Sequence, residues 1–85
     1  MVHLNDYVAI FHSVHKVMKA EKILKYEDVE ILLIPVPRQL TSDCGLAIRY
    51  PEKDRVRIEQ ILERESLLPE ELFRKEEDGF KPVPP

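Results

Sequence analysis

Long apolar runs, tryptophan and a second cysteine are all missing from this chain of 85 residues. No stretch reaches the 18 or so apolar residues that a membrane span needs, so no span is expected. One cysteine excludes an internal disulfide framework and a four-cysteine zinc site. Glycine is nearly absent: Gly45 and Gly79 are the only two, and neither sits in a phosphate-cradling loop. Basic charge is not in surplus either. Lys and Arg number 13 against 16 Asp and Glu, a net charge of −3, which argues against nucleic acid as the ligand. The first residues, Met1-Val2-His3-Leu4-Asn5-Asp6, lack the basic start and apolar stretch of a signal peptide, so a cytoplasmic location with a reduced thiol is the expectation. The length predicts one domain over 1–85, with one modest core and no deep walled pocket.

What remains is a heavily charged globular chain, 34% charged and 44% hydrophobic. Tyr7-Val8-Ala9-Ile10-Phe11 reads as a buried strand. Ser13 is a good N-cap for a helix whose apolar stripe is Val14, Val17, Ala20 and Leu24. Glu21 falls among those positions, where it is expected to reach solvent or cap a backbone group. Val29 to Val36 predicts a second strand, with Pro35 and Pro37 ending its regular pairing because proline has no ladder donor. A polar loop, Arg38 to Asp43, leads to a third strand from Cys44 to Tyr50. Pro51 suits the first position of a second helix, with Ile58, Ile61 and Leu62 as its stripe and an end near Ser66. The core is thus expected over about 7–66. The tail predicts a strand or hairpin over 70–83, turning at Glu77-Asp78-Gly79, with a helix from Pro69 to Glu77 as the competing reading. Residues 84–85 should fray.

Strand, helix, strand, strand, helix, strand predicts an α+β chain. The expected form is a ferredoxin-like βαββαβ sandwich, one antiparallel sheet with both helices on one face. Its bare face would suit a homodimer. In that topology the end of the first strand and the start of the third share a sheet edge. Cys44 and Gly45 are therefore expected near His12, Ser13 and His15, at the N-terminus of the first helix, where backbone N–H groups are unpaired. A helix N-terminus and nearby cations lower a thiol pKa, and the thiolate is the reactive form. Arg38 and His15 are candidate sources of charge, Thr41 and Ser42 of hydroxyl donors, and Gly45 leaves room beside the sulfur. The bland alternative is a small buried thiol. His12, His15 and Cys44 give three zinc-type ligands, with no fourth to close a structural site, so no metal is expected.

Four stretches look familiar: Phe11-His12-Ser13-Val14-His15, Lys19-Ala20-Glu21-Lys22-Ile23-Leu24, Ile34-Pro35-Val36-Pro37-Arg38, and Ser42-Asp43-Cys44-Gly45-Leu46-Ala47-Ile48-Arg49. Together they resemble a family of small bacterial proteins described as selenium/sulfur carrier-like, over about Tyr7 to Leu62. The family often has proline where this chain has His12, which adds a donor near the thiol. The resemblance implies that Cys44 carries sulfur or selenium as a persulfide or perselenide, handed between donor and acceptor proteins. It implies a carrier rather than a turnover enzyme, and no cofactor. Arg38 and the Thr41-Ser42-Asp43 backbone would hold the terminal anion. The competing function is a regulatory or protein-binding module in which Cys44 is only packing.

Overall fold

The computed structural model describes residues 2–40 and 45–84. The elements are β1 (Tyr7–Ile10), α1 (Val14–Tyr26), β2 (Leu32–Pro35), β3 (Leu46–Tyr50), α2 (Arg55–Arg64), β4 (Glu71–Glu76) and β5 (Gly79–Pro82). A single 3-10 turn, Glu52–Asp54, leads into α2. The strands form one sheet in the order β2-β3-β1-β4-β5, and every neighbouring pair is antiparallel. The protein is therefore α+β, two helices with a five-stranded antiparallel sheet. The tail forms the antiparallel hairpin β4–β5, turning between Glu76 and Gly79.

β1 is central and fully buried, as five successive apolar residues require. Side chains alternate across it. Tyr7, Ala9 and Phe11 join Ile48, Tyr50 and Leu72 under Val17, Ala20 and Leu24 of α1 and Ile58, Ile61 and Leu62 of α2. Both helices thus bury their stripes on one face. Each such fully buried aliphatic or aromatic side chain contributes roughly 1.5–3 kcal/mol. Val14, expected in the stripe, is instead 46% exposed. It stands in the first turn, rotated off the buried line of Val17, Ala20 and Leu24. Glu21 lies beside that stripe and pairs with Lys25 at 3.2 Å.

The other face is not bare. Val8, Ile10 and Ala47 are 0% exposed there. Val2, Val36, Leu40, Phe73 and Phe80 pack over them and Ile34. The centre of this face is therefore buried within one chain, with partly buried apolar residues at its margin.

Both helices end in the same way. Glu27 and Glu65 close the last turns, and the next residues, Asp28 (φ +61°) and Ser66 (φ +57°), turn left-handed. Val29 N then donates to Leu24 O at 3.0 Å and Asp28 N to Lys25 O at 3.1 Å. Leu67 N likewise donates to Leu62 O at 2.8 Å and Ser66 N to Glu63 O at 3.1 Å. These are two Schellman motifs, each with its apolar contact, Val29 on Leu24 and Leu67 on Leu62. This is why β2 starts at Leu32 rather than at Val29: the Val29 amide belongs to the helix stop.

Pro35 is the last residue of β2, opposite Leu46, as expected of a residue that ends regular pairing. Val36 N donates to Gly45 O at 3.1 Å, so Val36 and Gly45 form a hydrogen-bonded pair. Antiparallel ladders alternate, which makes the Pro35 pair a non-bonded one, with its backbone facing outward. The missing N–H is on the free edge, and no ladder bond is lost. β5 repeats the arrangement: Val83 N donates to Leu72 O at 2.8 Å, so Pro82, opposite Phe73, faces its edge in the same way. Pro51 caps the 3-10 turn instead of opening α2.

Candidate functional site

Ile10 pairs with Ala47, Pro35 with Leu46, and Ile10 with Glu71. The ends of β1 and β2 and the starts of β3 and β4 therefore share one edge of the sheet. Gly45 is at that edge, exposed, with φ +74°. Glycine adopts that left-handed backbone without strain. An added Cβ would meet nothing within 4 Å, so the backbone angle rather than crowding accounts for the glycine. Cys44, Thr41 and Ser42, three of the candidates, lie outside the described residues.

The chain leaving β1 enters α1 at the same edge. Ser13 is the N-cap, with extended φ −150° and ψ 124°, and its Oγ accepts from Lys16 N at 3.4 Å. Ser13 N in turn donates to Phe11 O. Val17 N donates to Ser13 O at 3.1 Å, the first bond of the helical ladder. The Val14 and His15 amides precede that ladder and belong to the electropositive end of the helix. His15 is exposed in this first turn.

His12 is also exposed, and its Nε2 lies 2.9 Å from Glu71 Oε2. Beside it, Lys16 Nζ lies 3.1 Å from Glu70 Oε1. The sequence places Glu70 and Glu71 at the start of the expected tail strand and does not point them to this edge. Nothing local marks them, because only the antiparallel pairing of β4 with β1 brings residues 59 and 54 positions apart into contact. Both pairs reach solvent, so each contributes about 0–1 kcal/mol. Their effect is on the charge of the edge: two carboxylates stand where a cationic surrounding was expected, Glu70 paired with the Lys16 ammonium and Glu71 with the His12 imidazole.

Arg38 is exposed in the turn that Leu40 N closes on Pro37 O at 2.9 Å. Leu40 packs against the helix-free face, so this turn lies on that side. Among the described residues, Arg38 joins none of the ion pairs at the Gly45 edge. The structure thus brings Gly45, His12, Ser13 and His15 to one edge, and puts Arg38 in a turn on the helix-free side of the sheet.

Arg49 has a structural task that its strand alternation did not reveal. Its Nε donates to Asp6 Oδ2 at 2.9 Å, and His3 N donates to the same oxygen at 2.8 Å. Both charged side chains are largely out of water.

At the far edge, the Tyr7 and Tyr50 rings stack with centroids 5.6 Å apart. The Arg55 guanidinium covers Tyr7 at 4.9 Å and donates to its hydroxyl at 3.0 Å. Glu59 accepts from Arg55 Nε at 2.8 Å and holds that guanidinium more firmly protonated. Burial pushes the Tyr50 hydroxyl well above the ordinary phenol range, with the nearby Glu59 carboxylate adding to it. No helix among the described residues is long and apolar enough to cross a membrane.

Comparison with curated proteins and with solved structures returns no match. A family model does match, over residues 6–74, a span that begins at the buried Asp6 and takes in Cys44, Gly45 and Arg49. On that match over most of its length, the chain belongs to the family described as putative Se/S carrier protein-like.

Proposed function

We propose that the protein carries a sulfane sulfur or selenium atom on Cys44 between a donor and an acceptor protein. The family match, which spans the Cys44-Gly45 pair, is the observation that carries this. The Cys44 thiolate would attack the outer sulfur of a persulfide on the donor. A new S–S bond forms as the donor's own S–S bond breaks, and the donor leaves as its thiol. Transfer to an acceptor thiolate is the same exchange in reverse, so no net oxidant or reductant is needed.

The surroundings of Gly45, the residue bonded to Cys44, support this chemistry. It shares its edge with His12, Ser13 and His15 at the positive end of α1, which favours an anion. Thr41, Ser42 and Arg38, earlier on the same loop, are the further proposed donors to the terminal chalcogen. A carrier needs no walled substrate pocket, which fits a chain of 85 residues. The reducing cytoplasm suits a carrier with one thiol, because no second cysteine is present to trap the load as an internal disulfide. For the fold, the order β2-β3-β1-β4, with both helices on one face, supports a ferredoxin-like sandwich to which β5 adds an edge strand.

Intact-mass measurement after incubation with a cysteine desulfurase and cysteine tests the function. The expected result is a gain of one sulfur atom, removed by dithiothreitol and absent from Cys44→Ser. No gain on the wild-type chain, or a gain that Cys44→Ser retains, refutes it.

A further inference from the structure

Between α2 and the segment leading into β4 runs a groove of about 210 Å³, open to solvent. Ligand pockets for small molecules usually hold about 300–1,000 Å³. This one is the size of a single side chain. Its walls are apolar: Leu72 is buried, while Val56 and Leu68 remain 67% and 41% exposed on its two sides. Such side chains on facing walls leave an apolar seat that the chain itself does not fill.

Two further observations indicate what would sit there. The lining includes Glu59 and Glu63 but no lysine or arginine. Glu59 is engaged by Arg55, whereas Glu63 makes no ion pair among the described residues. The second observation is Tyr50. It is 1% exposed and lines the groove, so its ring forms part of the apolar floor.

We propose that this groove is a docking seat for another protein, taking one apolar side chain with a lysine or arginine next to it in sequence. The apolar side chain fills the seat between Val56 and Leu68, and the adjacent cation meets Glu63. An acidic neighbour is repelled, and an apolar side chain alone gains only the burial. The seat follows the flank of α2, so docking there is independent of what Cys44 carries and stands or falls separately from sulfur loading.

Acetyl-leucyl-arginine amide is the probe, titrated into the isotope-labelled full chain while amide resonances are followed by NMR. Saturable shifts are expected at residues 56–63 and 68–72. Acetyl-leucyl-glutamate amide and acetyl-glycyl-arginine amide should each bind more weakly, the former by about two- to fivefold. Val56→Lys removes apolar wall and adds like charge at an exposed position, so the fold is kept and affinity should drop about tenfold. Glu63→Lys, also exposed, should reverse the preference between the arginine and glutamate probes. Shifts scattered over the surface, equal binding of the two charged probes, or unchanged affinity in both variants would overturn the proposal.

Discussion

The imidazole of His12 and the carboxylate of Glu71 meet at 2.9 Å, across 59 positions of sequence. The contact ties the exit of β1 to the entrance of β4, at the edge where Gly45 precedes β3. His12→Ala leaves Glu71 unpaired there. If Cys44 reacts at this edge, an uncompensated carboxylate raises the thiol pKa, and loss of the imidazole removes a donor or base. Alkylation by iodoacetamide at neutral pH should then slow several-fold, with its pH midpoint moved upward. The double variant His12→Ala/Glu71→Gln should recover part of the rate. A midpoint at the free-thiol value of about 8.5 in the wild type, or identical profiles in all three proteins, would remove these residues from the site.

Asp6 and Arg49 are the buried charges most costly to separate. Side-chain exposure is 8% for Asp6 and 18% for Arg49. Asp6→Ala leaves the guanidinium unpaired and frees His3 N, and should cost about 3 kcal/mol in urea unfolding. Replacing both with apolar residues, Asp6→Leu/Arg49→Met, should restore most of that. A loss under about 1 kcal/mol in the single variant would show the pair to be effectively solvated.

The two left-handed helix stops are held by an aspartate and a serine. Asp28→Gly and Ser66→Gly relieve a backbone conformation that disfavours L side chains, at the expense of extra freedom in the unfolded chain. Each should raise stability by about 0.5–1 kcal/mol, additively, because they close different helices. Thermal unfolding of the single and double variants checks this, and a loss of stability on either change would contradict the φ angles.

Pro35 and Pro82 lie on the two outer strands with their missing N–H groups facing outward. They block strand addition at both edges of the sheet. Pro35→Val and Pro82→Val should fold, since neither proline occupies a ladder-donor position, but should associate at high concentration. Sedimentation velocity on the double variant should show concentration-dependent oligomers that the wild type lacks. A monomeric double variant would mean that something other than proline guards the edges.

Tyr50 makes the protein sensitive to alkali. Its hydroxyl is raised above the ordinary value of 10.0, chiefly by burial. Above that pH the unfolded chain loses the proton while the folded chain keeps it. The unfolded state then binds fewer protons, and stability falls as pH rises. Unfolding followed at alkaline pH should show this slope begin near pH 10, and Tyr50→Phe should flatten it. An unchanged slope in Tyr50→Phe would assign alkaline unfolding to other groups.

Much of the fold was legible in local pattern. The apolar run of β1, the Ser13 cap, the spacing of Ile58, Ile61 and Leu62, and the turn at Glu77-Asp78-Gly79 are each decided by neighbours a few residues apart. So is the family resemblance, which is a property of the string. What the string left undecided depends on groups distant in sequence. Whether a proline ends a strand depends on which way its nitrogen faces, and that is set by the pairing of Val36 with Gly45. Whether Val29 begins a strand depends on a hydrogen bond back to Leu24. The charge around Gly45 depends on Glu70 and Glu71, which reach the edge only because β4 lies beside β1. The helix-free face looked open because the residues packed against its centre, Val2, Leu40 and Phe80, come from three separate parts of the chain. Sequence determined the elements, because short-range backbone and side-chain preferences do so. Only the tertiary structure decided the edges, the buried charges and the groove, because each is made by side chains that meet through packing.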